Sequence, residues 1–464
     1  MYKKYSQRLG ALLLLTSFAL CAVPVRAQTG LGIDLAGIDT SVRPGDDFFA
    51  YTNGGWFKAT EIPGDRSSLG IFQGIAAEVS TRNAALITEA GRSNTPEGKM
   101  VGDYYTAFMD EKTIESRGLE PIKGELTAIS TISNKNQLSS VLGSQLRADV
   151  DPLNATNFYT DRLFGVWISA DFNDPKKNVP YLLQGGIGLP DRDLYAGTAE
   201  SDIDTQKKYR VHIATVLKNA NIADAESKAE RIYALEDKIA RTHVSREDSL
   251  NVSLANNPWK LADFNKAAPG LDWKSYFKAA GLAKQPMIMA WHPGAIKGIS
   301  ALVGSEPIEV WKDYLTFRSI ERVAGLLPKV FADEAFNFQG KTLSGARQQS
   351  PRARRAISST SNALGDVVGQ MYTTKYFPAS AKTEIQTLVK NIIGAFRARI
   401  DKIDWMSAET KAKAKAKVDT LYVGVGYPDQ WKTYTGLKIA PDDAVGNLQR
   451  ISLHNYGRAL AKLG

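Results

Sequence analysis

Ala381-Lys-Thr-Glu-Ile385-Gln-Thr-Leu388-Val389-Lys-Asn-Ile392-Ile393-Gly-Ala-Phe396-Arg-Ala-Arg-Ile400-Asp-Lys-Ile403 is the stretch that decides the fold class. Its apolar residues recur every 3.6 positions over six turns, the spacing that gathers them on one helix face and predicts burial of that face. Pro378 stands just outside and Ser380 is the predicted N-cap. Ser407 opens a second helix with Glu409 in its first turn, where the helix dipole favours an anion. That helix runs through Ala412, Ala414, Ala416 and Val418 to a β-like Leu421-Tyr422-Val423. Outward from here the same period predicts helices over 99–111, 117–130, 203–241, 308–326 and 352–375. Strand signals are few. Phe164, Val166, Ile168, Ala170 and Phe172 alternate, Asn173-Asp174-Pro175 makes a turn, and Tyr181-Leu182-Leu183 follows, which reads as one hairpin. The predicted class is mainly α with a minor β hairpin, with no solenoid repeat and no low-complexity linker.

Length and composition agree with a globular chain. There are 464 residues, 43% hydrophobic and 23% charged, enough for two or three domains. Lys3, Lys4 and Arg8 precede an apolar run from Leu9 to Val23, and Val25-Arg26-Ala27 offers small residues at a cleavage site, so residues 1–27 read as a secretory signal peptide cut after Ala27. The run is shorter than the ~18–20 residues a membrane span needs, so no stable membrane anchor is expected. Leu20 is too bulky to precede a lipidated Cys21. The expected location is secreted or periplasmic. Cleavage removes four basic residues and the single Cys, lowering the formal charge from +9 to +5. That mild balance gives no reason to expect a nucleic-acid partner.

Local motifs supply no catalytic centre. The four histidines, His212, His243, His292 and His454, are scattered, and none begins H-E-x-x-H, the helical pair that sends two imidazoles from one face to a zinc ion. They read as structural or surface residues. His243 and Ser245 are two positions apart, which on a helix points them to different sides. There is no G-x-S-x-G elbow and no phosphate-binding loop. Lys411, Lys413, Lys415 and Lys417 split into two stripes about 160° apart. Pro351-Arg352-Ala353-Arg354-Arg355 reads as a solvated helix start.

One segment is more specific: Pro44-Gly-Asp-Asp47-Phe48-Phe-Ala-Tyr-Thr-Asn-Gly54-Gly55-Trp56, followed by Ile62-Pro63. It resembles the start of the ectodomain in the neprilysin family of zinc metallopeptidases, especially its bacterial secreted endopeptidases. Further matching words follow in order. They are Ile114-Glu-Ser-Arg117-Gly118-Leu-Glu-Pro121, Gly188-Leu-Pro190-Asp-Arg192-Asp193-Leu-Tyr195, Val368-Gly-Gln-Met-Tyr372, Trp405-Met-Ser-Ala-Glu-Thr-Lys411 and Val425-Gly426-Tyr427-Pro428. Their residue types suit turns and packing, so Asp47, Phe48, Gly54, Gly55, Trp56, Arg117, Gly118, Pro190, Arg192, Asp193, Gly426, Tyr427 and Pro428 are taken as structural signatures.

The resemblance implies a two-lobed molecule around a substrate chamber. Residues 28–60 would form an N-terminal arm and the start of the ectodomain, 61–420 the large helical substrate-chamber domain, and 421–464 a link toward a thermolysin-like zinc domain. The family's H-E-x-x-H, its third zinc ligand and its Asn-Ala substrate segment have no counterpart in this sequence, so no catalytic or metal residue is assigned. The chain is expected to be the N-terminal portion of a zinc endopeptidase for oligopeptides, with zinc in the complete enzyme and none bound catalytically here. A separately encoded zinc lobe could complete it. A stand-alone secreted protein that binds a peptide or partner is the alternative. Animal neprilysin holds a substrate carboxylate with an Arg shortly after the Ile-Pro word. Here Ser68 matches that Arg and Gln73 a nearby Asp, with Arg66 close by. These three are the candidate chamber residues.

Overall fold

The computed structural model describes residues 34–152 and 160–464, and the expected signal sequence 1–27 lies outside them. The chain divides into two compact units, Met1–Pro63 and Gly64–Gly464.

In the first unit a single 3-10 turn precedes α1 (Phe48–Ala59). Asp47 caps α1, its carboxylate accepting the Ala50 N–H at 2.8 Å, which satisfies one of the orphan donors of the first turn. Gly54 and Gly55 let this helix lie directly on the preceding loop. A Cβ on Gly54 would come 2.7 Å from Asp39 Cβ, and one on Gly55 2.7 Å from the Ala36 carbonyl oxygen. Lys58 closes the unit on Asp39 at 2.7 Å.

The second unit begins with α2 (Ile71–Ala90) and α3 (Pro96–Met109), the latter started by Thr95, whose hydroxyl accepts the Gly98 N–H, and by Pro96 at the first position. Three shorter helices follow: α4 (Glu111–Arg117), α5 (Lys123–Ser130) and α6 (Lys135–Gln145). Strand β1 (Phe164–Ala170) then pairs antiparallel with β2 (Asn178–Gln184), Phe164 opposite Gln184, as the alternation predicts. The short α7 (Asp193–Ala196) leads to α8 (Glu200–Asn219) and α9 (Ala225–Thr242). The predicted continuous helix 203–241 is thus two helices. The chain reverses where Asn221 and Asp224 adopt left-handed backbone, conformations that short polar side chains tolerate.

Next come α10 (Arg246–Leu250), β3 (Pro258–Lys260), α11 (Phe264–Ala267), α12 (Trp273–Ala279) and β4 (Met287–Ala290). Among the described residues the strands form one sheet in the order β1-β2-β4-β3, so the hairpin gains two short strands that carry no alternation of their own. The sheet is covered on both faces. Leu182 points into the main core, while Tyr181 and Leu183 point with Trp291 into a smaller one.

Helices α13 (Pro293–Ser305), α14 (Ile308–Glu321) and α15 (Lys329–Ala335) complete the main core, where Trp273, Trp311, Tyr276 and Phe317 are fully buried. Burial of such a side chain is worth roughly 2–3 kcal/mol before entropy is counted. The basic segment opens α16 (Arg352–Ala363), which breaks at Leu364 before α17 (Gly365–Tyr376), so 352–375 is also two helices. The quoted stretch forms α18 (Ala379–Lys402), followed by α19 (Ala408–Asp419) and α20 (Ala444–Leu460).

Two local expectations are corrected. Helix α18 is entered from Pro378, whose fixed φ suits a helix start, and Ser380 lies inside its first turn. Leu421-Tyr422-Val423 forms no strand; β-propensity without a neighbouring strand leaves it as exposed loop. Ser407 does cap α19, accepting the Thr410 N–H at 3.1 Å. The face of α18 is the larger departure. Of its periodic residues Ile400 is buried, whereas Leu388, Ile392 and Phe396 are each more than half exposed.

Candidate functional site

The candidate residues Arg66, Ser68 and Gln73 lie on the segment leading into α2. The Gly64 carbonyl accepts the N–H groups of Arg347 and Gln348 at 2.9 and 3.0 Å, which pins the segment beside the start of α16. Asp65 is nearly buried and pairs with Arg354 and with the Ser350 hydroxyl, and Arg66 leans back on the same carboxylate at 3.4 Å. Arg66 therefore shares the single Asp65 carboxylate with Arg354. Ser68 and Gln73 are exposed, Gln73 in the first turn of α2 beside the exposed Ile71 and Phe72.

The histidines occupy separate environments. His212 on α8 is buried between two carboxylates, Nδ1 2.9 Å from Glu334 of α15 and Nε2 3.2 Å from Glu321 of α14, with its ring stacked on Phe338 at 4.8 Å. Burial pulls its pKa down, but the hydrogen bonds to Glu321 and Glu334 outweigh that and raise it to about 9. His243 directs Nε2 at the Gly185 carbonyl at 2.9 Å and burial lowers it to about 4. His292 Nδ1 accepts the Gln184 N–H at 3.2 Å, and burial, then the neighbouring His243, lowers it to about 3. His454 stacks on Tyr434 at 5.9 Å.

Zinc does not fit this set. Among the described residues no group of three or more His, Cys, Asp or Glu side chains could hold a metal ion. The richest trio, His212 with Glu321 and Glu334, has both ring nitrogens bonded to carboxylates, so neither nitrogen faces an open coordination position. Ser245, close to His243 in sequence, caps α10 by accepting the Asp248 N–H at 3.0 Å.

The signature words make packing contacts. The Gly188 N–H reaches the Tyr195 hydroxyl at 2.9 Å and Glu236 at 3.1 Å, and both Tyr195 and Tyr209 donate to the fully buried Glu236, at 2.7 and 2.8 Å. Pro190 is exposed at the turn that follows, Arg192 donates to the His243 carbonyl, and Asp193 opens α7. Arg117 bridges Glu120 at 3.2 Å and Asp443, the cap of α20, at 2.9 Å. Gly118 and Gly426 have positive φ, which a turn there requires of glycine. Tyr427, before Pro428, stacks on Trp431 and lies under the Lys382 ammonium at 4.3 Å. In the first unit Phe48 is exposed and Trp56 packs edge-on to Phe57 at 5.2 Å.

The basic segment of α16 corrects a sequence expectation. It is not a solvated helix start: Arg352 donates to the Phe108 carbonyl at 2.7 and 3.0 Å, and Arg354 and Arg355 line a cavity of about 690 Å³ with Arg147 and Arg162. Sequence reasoning missed this group because its arginines come from three separate segments. The i, i+3/i+4, i+7 spacing of Arg355, Ser358, Ser359 and Asn362 is the one signal that could have found a shared polar face. The lysines of α19 do divide between two sides, Lys415 pairing with Asp401 of α18 and Lys413 with Glu409.

Residues 44–428 match the N-terminal profile of peptidase family M13. The chain is 27% identical over 404 residues to endothelin-converting enzyme-like 1 of Mus musculus, covering 85% of this chain and 52% of that protein. It is 24% identical over 408 residues to endothelin-converting enzyme 1 of Homo sapiens, with 85% and 52% covered. Its fold is similar to the Mycobacterium tuberculosis zinc metalloprotease Zmp1 in complex with an inhibitor. The TM-score is 0.85 at 32% identity, over 93% of this chain and 64% of that one. PepO from Lactobacillus rhamnosis HN001 shares the fold, with a TM-score of 0.78 at 20% identity over 91% of this chain and 66% of that one. The chain spans about half the length of the endothelin-converting relatives it matches.

Proposed function

Because the chain belongs to peptidase family M13, we propose that it is the helical, substrate-enclosing lobe of a secreted zinc endopeptidase that acts on oligopeptides. The observation that carries this reading is the apolar stripe of α18. Leu388, Ile392 and Phe396 follow the period of a core helix yet stand open, and Trp405, Leu421 and Tyr422 in the loops on either side of α19 are exposed as well. An exposed apolar helix stripe of this kind marks a face that packs against more protein. The zinc-bearing part of the enzyme is the occupant this reading assigns to it.

In this scheme residues 1–27 are removed after Ala27, 28–60 form the arm and ectodomain start, 61–420 form the chamber wall, and 421–464 lead toward the zinc lobe. The lobe orients peptides and excludes folded chains; the hydrolytic step belongs to the complementing part, carried on the same polypeptide or encoded separately. The test uses the purified chain and a quenched fluorescent oligopeptide. With zinc alone no hydrolysis is expected, and adding a separately produced zinc lobe of a family member should restore chelator-sensitive cleavage. Chelator-sensitive hydrolysis by this chain alone would overturn the reading.

A further inference from the structure

The cavity of about 690 Å³ is walled by α3, the loop after α6, α16 and α20 of the second unit. Four arginines line it. Arg162 is matched by Asp149 and Asp161, at 2.8 and 3.1 Å, and Arg354 by Asp65. Arg147 and Arg355 have no carboxylate partner among the described residues. Arg147 donates through Nη1 to the carbonyls of Ser144 and Leu146, at 2.8 and 2.7 Å, and lies over the Tyr456 ring, while its buried Nε has no hydrogen-bond partner among the described residues. Arg355 donates through Nε to the Ser350 carbonyl at 3.2 Å, and its terminal nitrogens have no hydrogen-bond partner among the described residues. Burial, then the like charge of Arg162, lowers the Arg147 guanidinium to about 10, and burial with Arg352 lowers that of Arg355. Both remain cations near neutral pH.

Two partly buried cations with no ion-pair partner among the described residues carry a desolvation penalty, which a bound anion lowers. A guanidinium presents a planar fork that matches a carboxylate. The rest of the wall narrows the ligand class. Leu448, Ile451 and Tyr456 of α20 supply an apolar side, and Ser358, Ser359 and Asn362 of α16 a polar rim. The volume lies within the roughly 300–1,000 Å³ of small-molecule sites, far more than a simple inorganic ion fills.

We propose that this cavity is a binding site for a carboxylate carried on an apolar body, gripped by Arg147 and Arg355, the source being a peptide end or a free organic acid. The site itself stands apart from the peptidase reading; only the peptide source rests on it.

Isothermal titration of the full chain tests the proposal with four probes: a blocked apolar tripeptide with a free C-terminal carboxylate, its C-terminal amide, 3-phenylpropionate and inorganic phosphate. At least one organic carboxylate should bind at least tenfold more tightly than the amide. Arg147→Gln and Arg355→Gln should each weaken that binding at least tenfold, and Arg147→Lys less. Each variant is first checked for cooperative melting, and Arg355→Gln, at a less enclosed position, answers the question if Arg147→Gln does not fold. Tripeptide binding assigns the site to peptide ends; phenylpropionate binding without the tripeptide assigns it to free acids and leaves the lobe-complementation assay to judge the peptidase reading alone. Equal binding of acid and amide, binding of phosphate only, no binding, or affinities that folded variants leave unchanged would overturn the proposal.

Discussion

His212 ties α8 to α14 and α15 through Glu321 and Glu334, and replacing it with Gln should expose how much that tie contributes. The folded imidazole titrates at about 9 against 6.5 when unperturbed. Holding the proton that much more tightly is worth about 3 kcal/mol. Because the folded pKa is raised, this stability is fully present below pH ~6.5 and is lost as pH rises through about 9. Glu321 works in the opposite window. Burial raises its pKa but the bond to His212 prevails and lowers it below 4.5, so its share is present above that pH and fades in acid. In His212→Gln the amide carries no charge, and two enclosed carboxylates lose their cation. A loss of about 3–5 kcal/mol at pH 6 follows, as for breaking a buried ion pair. Urea denaturation followed by tryptophan fluorescence should show the wild type losing about 3 kcal/mol more than the variant between pH 6 and 9.5. Parallel stability profiles for the two proteins would refute the reasoning. So would a His212 resonance in the folded protein that titrates at or below 6.5.

Tyr195→Phe should destabilise by about 1–3 kcal/mol in the same denaturation assay, because the buried N–H of Leu189 loses its acceptor and Glu236 loses a donor. Gly55→Ala should loosen the first unit, since the new methyl meets the Ala36 carbonyl; hydrogen exchange across 35–59 should rise while α8 and α9 stay protected. Leu388→Glu with Phe396→Glu should reduce self-association in light scattering with a melting temperature within a few degrees of wild type, because both side chains are exposed. The same pair should weaken recovery of hydrolysis by an added zinc lobe at least tenfold.

The hairpin and most helix positions were legible because local rules decide them. Alternation set β1, and Ser407 set the start of α19. Where the sequence reading failed, two elements share one period or a contact is non-local. Helical spacing holds on both sides of the break, through Tyr209, Ile213 and Val216 of α8 and Ile232, Leu235 and Ile239 of α9, and the chain reverses between them where Asn221 and Asp224 adopt left-handed backbone. His212 illustrates the second limit. Glu321 and Glu334 lie more than a hundred residues away, so nothing beside His212 distinguishes a clamped imidazolium from a solvent-facing ring. The arginine cavity was hidden in the same way, its Arg147 and Arg355 set in separate elements that only packing joins.

Helix α18 makes the deeper point about what periodicity measures. Its spacing predicts a buried face with the same rule that succeeds for α9, where Ile232, Leu235 and Ile239 are buried. In α18 the stripe is just as regular and stays largely open. Periodicity therefore reports a demand for burial, not the identity of the partner that meets it. In the proposed enzyme the partner is the zinc lobe. The exposed Trp405 and Tyr422, in the loops flanking α19, extend the same demand beyond one helix. If that surface is an interface, charges placed at Leu388 and Phe396 must act on assembly while sparing the fold. A pair of substitutions that instead unfolded the chain would place α18 in the core of this lobe and remove the main support for a docking lobe.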